Sequence, residues 1–122
     1  MMNFRLTDKR IKVGDQYFDS IVELKRYNDL LDLEESGAIS GLARKVKFEL
    51  VADRMEMETR TANGVRIPGS RVVENGLVFK ADFFYQTAAG MNVAEVRRGA
   101  CKSLEMKKTL MLWKYRAMVR EY

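Results

Sequence analysis

The chain has 122 residues, of which 47% are hydrophobic and 10% are aromatic, and it carries a formal charge of +5. This length suits one domain with a core of its own, and the composition excludes a disordered chain. The absence of histidine excludes histidine-based catalytic triads and nearly all zinc chemistry.

Cysteine content and hydropathy indicate the cellular setting. The single cysteine, Cys101, excludes an internal disulfide and fits a reducing cytosol. No apolar run reaches the ~18 residues of a membrane span, and residues 1–10 lack a secretion-signal pattern. We therefore expect a cytoplasmic protein without a membrane partner. A bound metal could use only oxygen ligands, which favours Mg²⁺, Mn²⁺ or Ca²⁺, and the basic excess is compatible with nucleic acid.

The N-terminal third predicts short strands followed by a helix. A strand or a pair of strands is expected around "FRL" (4–6) and "IKV" (11–13), with Gly14 and Asp15 turning the chain. A helix is predicted over 20–36, because a serine at its start is a good N-cap and apolar residues recur at helical spacing.

The middle of the chain predicts strands separated by turns. One strand is expected around 46–52, and the alternation of methionine with charged residues in 53–61 indicates a half-exposed strand. The Asn-Gly pairs at 63–64 and 75–76 are typical of hairpin turns. A Pro-Gly pair argues against a continuous central strand through 65–73.

The last third predicts two strands and a second long helix. The strands are expected at about 77–86 and 91–98, and the helix starts near Ser103 and continues through the tail. The apolar stripe of this helix is assigned to the core or to a dimer face, which leaves a homodimer open. The order of elements predicts one α+β domain over 1–122, with a mixed central sheet flanked by two long helices.

Each of these last two strands contains one acidic residue, Asp82 in the first and Glu95 in the second. If the strands pair through a turn near Gly90, the two carboxylates can lie side by side on one face. Carboxylates so close repel each other, and a divalent ion with oxygen ligands relieves the repulsion. A second interpretation stays open, in which each acid is exposed or pairs with Lys80 or Arg97 across the strands.

The chain resembles a family of small phage-encoded proteins, grouped as endonuclease-like members of the PD-(D/E)XK nuclease superfamily. The similarity runs from about Tyr17 to Lys108 and fits least well in 53–76. It implies a restriction-endonuclease-like αβββα core and a phage endonuclease that acts on DNA in the host-cell cytoplasm. The segments that carry it are "FDSIVELKRYNDLLDLEESGAISGL", "KFEL", "KADFFY" and "AEVRRG", followed by a lysine-rich helix.

The resemblance implies that Asp82 and Glu95 bind Mg²⁺ or Mn²⁺ and that Glu23, on the first helix, assists. The ion would activate a water for attack on a phosphodiester and offset charge on the phosphate. The sequence also gives Glu23 a structural role, because Ser20-x-x-Glu23 forms a capping box in which Glu23 accepts from the Ser20 N–H. One carboxylate has two oxygens, so both roles can coexist.

The chain departs from the superfamily pattern at Arg97, where a lysine two residues after the second acid is usual. Arginine stays protonated and suits clamping a phosphate, so it is a poor proton acceptor. A salt bridge from Arg97 to Glu95 or Asp82 is the alternative. We hypothesise that Lys80, two residues before Asp82, is a migrated catalytic lysine; the alternative is a solvated strand lysine.

Basic residues near this site are expected to hold the sugar–phosphate backbone of DNA without reading its sequence. The leading hypothesis is a nuclease dependent on Mg²⁺ or Mn²⁺. A second is a nuclease-like fold that has lost catalysis and binds DNA or a protein, which the lysine-to-arginine change keeps open. A third is a structural phage component. The basic residues are Arg97, Arg98, Lys102 and Lys107.

Overall fold

The structure is a computed structural model that describes residues 5–7 and 10–122. Phe4, in the first predicted strand, lies outside the described residues. Nine strands and two helices occur within the described ranges: β1 (Arg5–Thr7), β2 (Arg10–Val13), β3 (Gln16–Phe18), α1 (Ile21–Glu35), β4 (Ile39–Val51), β5 (Arg54–Ala62), β6 (Val65–Glu74), β7 (Leu77–Thr87), β8 (Asn92–Val96), α2 (Leu104–Tyr115) and β9 (Ala117–Glu121).

The central sheet has the strand order β4-β7-β8-β9 and is mixed, since only β8 and β9 run parallel. Side chains of β8 alternate between the two helices. Val93 packs with Leu30 of α1, whereas Ala94 and Val96 pack with Met111 of α2. Both faces of β8 are therefore covered. The predicted α+β class, with helix, three sheet strands and helix in order, is confirmed.

Helix α1 matches the prediction for 20–36. It begins directly after Ser20, whose side chain accepts a hydrogen bond from the Glu23 N–H at 3.1 Å. This cap satisfies one of the backbone donors left without a partner at a helix start. Leu24 packs against β2 and β3, and Leu30 packs against the central sheet. The helix thereby joins the N-terminal strands to the sheet.

The prediction that the second helix continues through the tail is wrong. Helix α2 ends at Tyr115, and Arg116 takes a left-handed backbone conformation with φ of 54°. The following residues form β9, which pairs with β8. Ala117 and Val119 are buried, so the apolar residues follow the two-residue period of a strand. Pairing within the sheet outweighs the helical spacing of the tail.

Strands β5 and β6 form a two-stranded hairpin, residues 54–74, that we call the arm. The predicted turn at Asn63-Gly64 is confirmed, with φ of 51° and 75°. Strand β6 continues through Pro68, but it is not a central strand, because it pairs only with β5 in the described part of the chain. An edge strand tolerates a proline that a central strand would not.

The predicted hairpin turn at 75–76 is wrong, because this segment passes from β6 to β7, which pair with different strands. Here two backbone segments cross at the base of the arm. The Gly76 N–H donates to Asp53 Oδ1 at 2.6 Å, and a Cβ on Gly76 would lie 2.0 Å from the Val51 carbonyl oxygen. The two backbone segments approach so closely that only glycine fits at position 76.

Candidate active site

Three carboxylates converge where the start of α1 meets the middle of the central sheet. Asp19 precedes the N-cap, Glu23 lies in the first turn of α1, and Asp82 lies in the middle of β7. One oxygen from each lies within 4.8 Å of the others. Glu23 is only 2% exposed. We call these three residues the acidic cluster.

The ammonium of Lys45 contacts every member of the acidic cluster. Its Nζ lies 2.7 Å from Asp19 Oδ2, 2.9 Å from Glu23 Oε1 and 3.1 Å from Asp82 Oδ1. Burial lowers the pKa of Lys45, but its hydrogen bonds and the nearby carboxylates outweigh burial and hold the pKa above its usual range. Lys45 is therefore a fixed positive charge among these acids.

Glu23 uses both of its oxygens. Oε2 accepts from the Asp19 N–H at 2.8 Å, while Oε1 faces Lys45 and lies 3.4 Å from Arg44 Nη2. Glu23 therefore caps the start of the helix, as predicted, but the backbone N–H that donates to it belongs to Asp19 and not to Ser20. One carboxylate stabilises the helix start and also faces the cluster.

Asp82 is held by two donors besides Lys45. Its Oδ2 accepts from the Tyr122 hydroxyl at 2.7 Å and from the Arg97 N–H at 3.2 Å. Burial, followed by the bond to Asp82, raises the pKa of Tyr122. The Arg97 side chain forms no ion pair with Asp82 or Glu95 among the described residues, so the alternative of a salt bridge is not found.

Asp82 and Glu95 do not lie side by side, so that expectation is wrong: the carboxylates that cluster with Asp82 belong to Asp19 and Glu23. In the observed register Glu95 lies directly opposite Phe83, one residue along β7 from Asp82. The Glu95 carboxylate accepts two hydrogen bonds from Arg26, both at 2.7 Å, and one from the Tyr85 hydroxyl. Glu95 is fully buried and is the counter-ion of Arg26 on α1.

The network around Glu95 is closed. Hydrogen bonding to Glu95 raises the pKa of Arg26, and burial, followed by the bond to Glu95, raises the pKa of Tyr85 to about 12. Both partners therefore stay protonated and keep donating. Each oxygen of Glu95 is occupied, which leaves this carboxylate without an open side for another ligand.

Two cavities flank Asp82 and form an open cleft. One, of about 370 Å³, extends past Lys45, and the other, of about 440 Å³, extends towards α2. Lys80 lines both cavities but makes no ion pair in the described ranges. Arg97 and Arg98 are exposed beside the cleft and line neither cavity. Five lysines line the cleft: Lys45, Lys47, Lys80, Lys102 and Lys107.

Sequence reasoning missed several residues of this region. Asp19 directly precedes the helix cap, and Arg26 lies one helical turn after Glu23, so both offered a local signal. Lys45 and Tyr122 offered none, because each meets the acidic cluster through tertiary contacts only. The ammonium within the cluster belongs to Lys45, whereas Lys80 lies exposed on the cleft wall.

The acidic cluster fits a hard divalent cation. Its donors are carboxylate oxygens, which Mg²⁺ and Mn²⁺ prefer. Oxygens on a Mg²⁺ ion lie about 2.9 Å apart when adjacent and about 4.2 Å apart when opposite, so the three carboxylates, now within 4.8 Å of one another, would have to close around an ion. Lys45 contacts the same oxygens, so an ion and the ammonium compete for them. Three carboxylates facing Lys45 and Arg44 leave one negative charge uncompensated.

Comparison with known protein families matches residues 4–122 to a family described as "Protein of unknown function (DUF1064)". The chain belongs to this family. The match includes both helices, the central sheet and the arm. No curated protein and no solved structure matches the chain. None of the helices in the described part of the chain is long and apolar enough to cross a bilayer.

Proposed function

We propose that the protein is a divalent-metal-dependent nuclease that hydrolyses phosphodiester bonds in DNA in the host-cell cytoplasm. The proposal assigns it to the endonuclease-like branch of the PD-(D/E)XK superfamily, which its motifs resemble. The observation that supports it is the convergence of Asp19, Glu23 and Asp82 beside an open cleft lined by lysines.

The proposed ligands of a Mg²⁺ or Mn²⁺ ion are the members of the acidic cluster. When bound, the ion supplies Lewis-acid chemistry towards the phosphate and lowers the pKa of a water. Glu95 is left out of the ligand set, because a guanidinium and a tyrosine hydroxyl bond both of its oxygens. Its proposed role is to fix α1 on the sheet, which places Glu23 near Asp82.

Basic side chains of the cleft have separate proposed roles. Lys45 holds its proton, so it serves as a positive charge near the attacked phosphate and not as a general base. Arg97 fixes Asp82 through its backbone N–H, and its exposed guanidinium is available to clamp a phosphate. Lys80, Lys102 and Lys107 line the cleft where the DNA backbone would pass.

The direct test is cleavage of a supercoiled plasmid in Mg²⁺ or Mn²⁺. We expect Asp82→Asn and Glu23→Gln each to lower the cleavage rate by at least about 100-fold, since each removes a charge from the ligand set. Asp29→Asn is the matched control, because Asp29 is exposed on the same helix. Equal cleavage by all variants would identify a contaminating nuclease and contradict the proposal.

A second candidate is a DNA-binding module without catalysis, favoured by the position of Lys45 inside the acidic cluster. In this case Lys45 replaces the ion permanently. Calorimetric titration with Mn²⁺ separates the candidates without an activity assay. The nuclease binds Mn²⁺ and loses binding in Asp82→Asn; the module binds no Mn²⁺ but retains DNA in a gel, with retention falling steeply as salt rises.

A further inference from the structure

The arm has one intact strand edge and one interrupted edge. Strands β5 and β6 pair only with each other in the described part of the chain, so each leaves one edge open. Pro68 interrupts β6, whereas β5 contains neither proline nor glycine. An isolated two-stranded hairpin is marginally stable in water, and a sheet of three or more strands is not. The β5 edge can accept another strand.

The turn fixes which backbone groups of β5 point to the open edge. Positive φ at both turn residues defines a type I′ hairpin, in which the flanking pair Ala62 and Val65 exchanges hydrogen bonds. Alternation along the ladder makes Thr59 and Pro68 a non-hydrogen-bonded pair, which agrees with the missing N–H of proline. The N–H and C=O of Thr59 therefore point outwards, as do those of Met57 and Thr61.

The charges along β5 select one register for pairing with a second copy. When Thr59 lies opposite Thr59 of an antiparallel copy, Glu58 lies opposite Arg60 of that copy, and the two-fold axis repeats the pair. A slide of one hydrogen-bonding step brings Glu58 opposite Glu58, and the opposite slide brings Arg60 opposite Arg60. Like charges directly opposite destabilise a sheet, and of these three registers only the first contains no like-charge pair.

Both residues of the complementary pair are accessible. The Arg60 side chain is 85% exposed, and its contact with Glu58 in the same chain is 4.0 Å long. Glu58 lies 3.4 Å from Arg71 in its own hairpin and keeps a 38% exposed side chain. Cross-strand pairs in non-hydrogen-bonded positions bring side chains closest, and Glu58 and Arg60 would occupy such positions.

We infer that the protein forms a two-fold dimer by edge-to-edge pairing of β5, giving a four-stranded antiparallel sheet β6-β5-β5-β6. The ladder includes residues 56–62 of each chain. This contact is small beside a standard interface of about 1,600 Å², so association depends on protein concentration. The arm carries four arginines and three glutamates, so its charges nearly balance and DNA is a less suitable partner for it than a second copy of the chain. The pairing does not involve the cleft.

Sedimentation velocity between about 1 and 200 µM tests the dimer, in the range where small interfaces associate. We expect the wild type to approach twice the chain mass of 14.1 kDa. Arg60→Glu and Glu58→Arg each place like charges opposite each other twice, so each should raise the dimer dissociation constant at least about 10-fold. Arg66→Glu, the same charge change on β6, is the control and should dimerise like the wild type.

Mixing the two variants gives the decisive measurement. An equimolar mixture of Arg60→Glu and Glu58→Arg restores opposite charges at both positions, so it should form a heterodimer with about the wild-type affinity. This readout also corrects for any effect of a single variant on its own hairpin. A wild type that stays monomeric overturns the inference, as does an Arg60→Glu variant that dimerises normally or a mixture that stays monomeric.

Discussion

Replacing Lys45 with methionine removes an ammonium that contacts all three members of the acidic cluster. Glu23, at 2% exposure, would keep the hydrogen bond from the Asp19 N–H, but its nearest remaining cation among the described residues would be Arg44, at 3.4 Å. Removing one partner of a buried ion pair costs about 3–5 kcal/mol. The Lys45 side chain is 43% exposed, so solvent screening reduces this cost. We expect a loss of about 1–2 kcal/mol in the free energy of unfolding.

Thermal unfolding with and without Mn²⁺ measures this effect. For a chain of this length the loss corresponds to a drop of about 4–8 °C in Tm. Mn²⁺ should raise the Tm of Lys45→Met more than that of the wild type, because the ion no longer competes with an ammonium. Lys47→Met, two residues along the same strand, is the control and should show neither change.

The backbone of Lys45 provides an internal check, because its φ of 53° is left-handed. Lys45→Gly also removes the ammonium but relieves this strain, so it should be about 1 kcal/mol more stable than Lys45→Met. Unchanged stability of Lys45→Met, together with an unchanged response to Mn²⁺, would refute the reasoning that these acids share one cation.

Three further predictions concern the supports of the site and the arm. Arg26→Met leaves Glu95 buried without its counter-ion and should lower the free energy of unfolding, measured in urea, by about 3–5 kcal/mol. The double variant Arg26→Met/Glu95→Gln should recover part of this stability. Full recovery of Arg26→Met by Mn²⁺ alone would contradict a purely structural role for Glu95. Gly76→Ala should cost about 1–3 kcal/mol and expose the arm to limited proteolysis, because its Cβ meets backbone. Gly69→Ala is the control and should have neither effect, because its Cβ makes only an ordinary contact at 3.9 Å. Equal effects of the two substitutions would contradict the argument from close approach. The free energy of unfolding should fall as pH rises from about 10 to about 12, because Tyr85 keeps its proton in the folded chain to about 12 and loses it near pH 10 when unfolded; a urea series at each pH should show a shallower fall in Tyr85→Phe, and an equal slope would contradict the assignment.

Local signals predicted most of the fold. The N-cap at Ser20 and the Asn-Gly turn of the arm are each specified by a few neighbouring residues, and both are observed. The helix predicted for the tail is wrong because the apolar residues of 117–121 fit the period of a helix as well as that of a strand. Pairing with β8 is what makes this segment a strand. The prediction of a hairpin turn at 75–76 is wrong because the glycine there is required by a close contact with the backbone of Val51 and not by a turn.

The site was less predictable than the fold, because it depends on register. Asp82 and Glu95 are acids in neighbouring strands, as predicted, but Glu95 pairs with Phe83 and the two carboxylates bind different partners. The buried partner of Glu95 comes from α1, through Arg26, and no pattern in the strands indicates it. Tertiary contacts of this kind are not encoded in the spacing of either strand.

One irregularity of the sheet explains why the acidic cluster forms. The regular alternation of β7 is interrupted at Asp82, because Ala81 packs with α2 and Phe83 packs with α1, although residues two apart in a regular strand share a face. The β4–β7 ladder pairs Arg44 with Phe83 and Val46 with Ala81 but skips Lys45 and Asp82 between them. The left-handed backbone of Lys45 makes this break. It frees Asp82 to meet Glu23 across a shared ammonium, so a strained backbone position and the convergence of charge have the same origin.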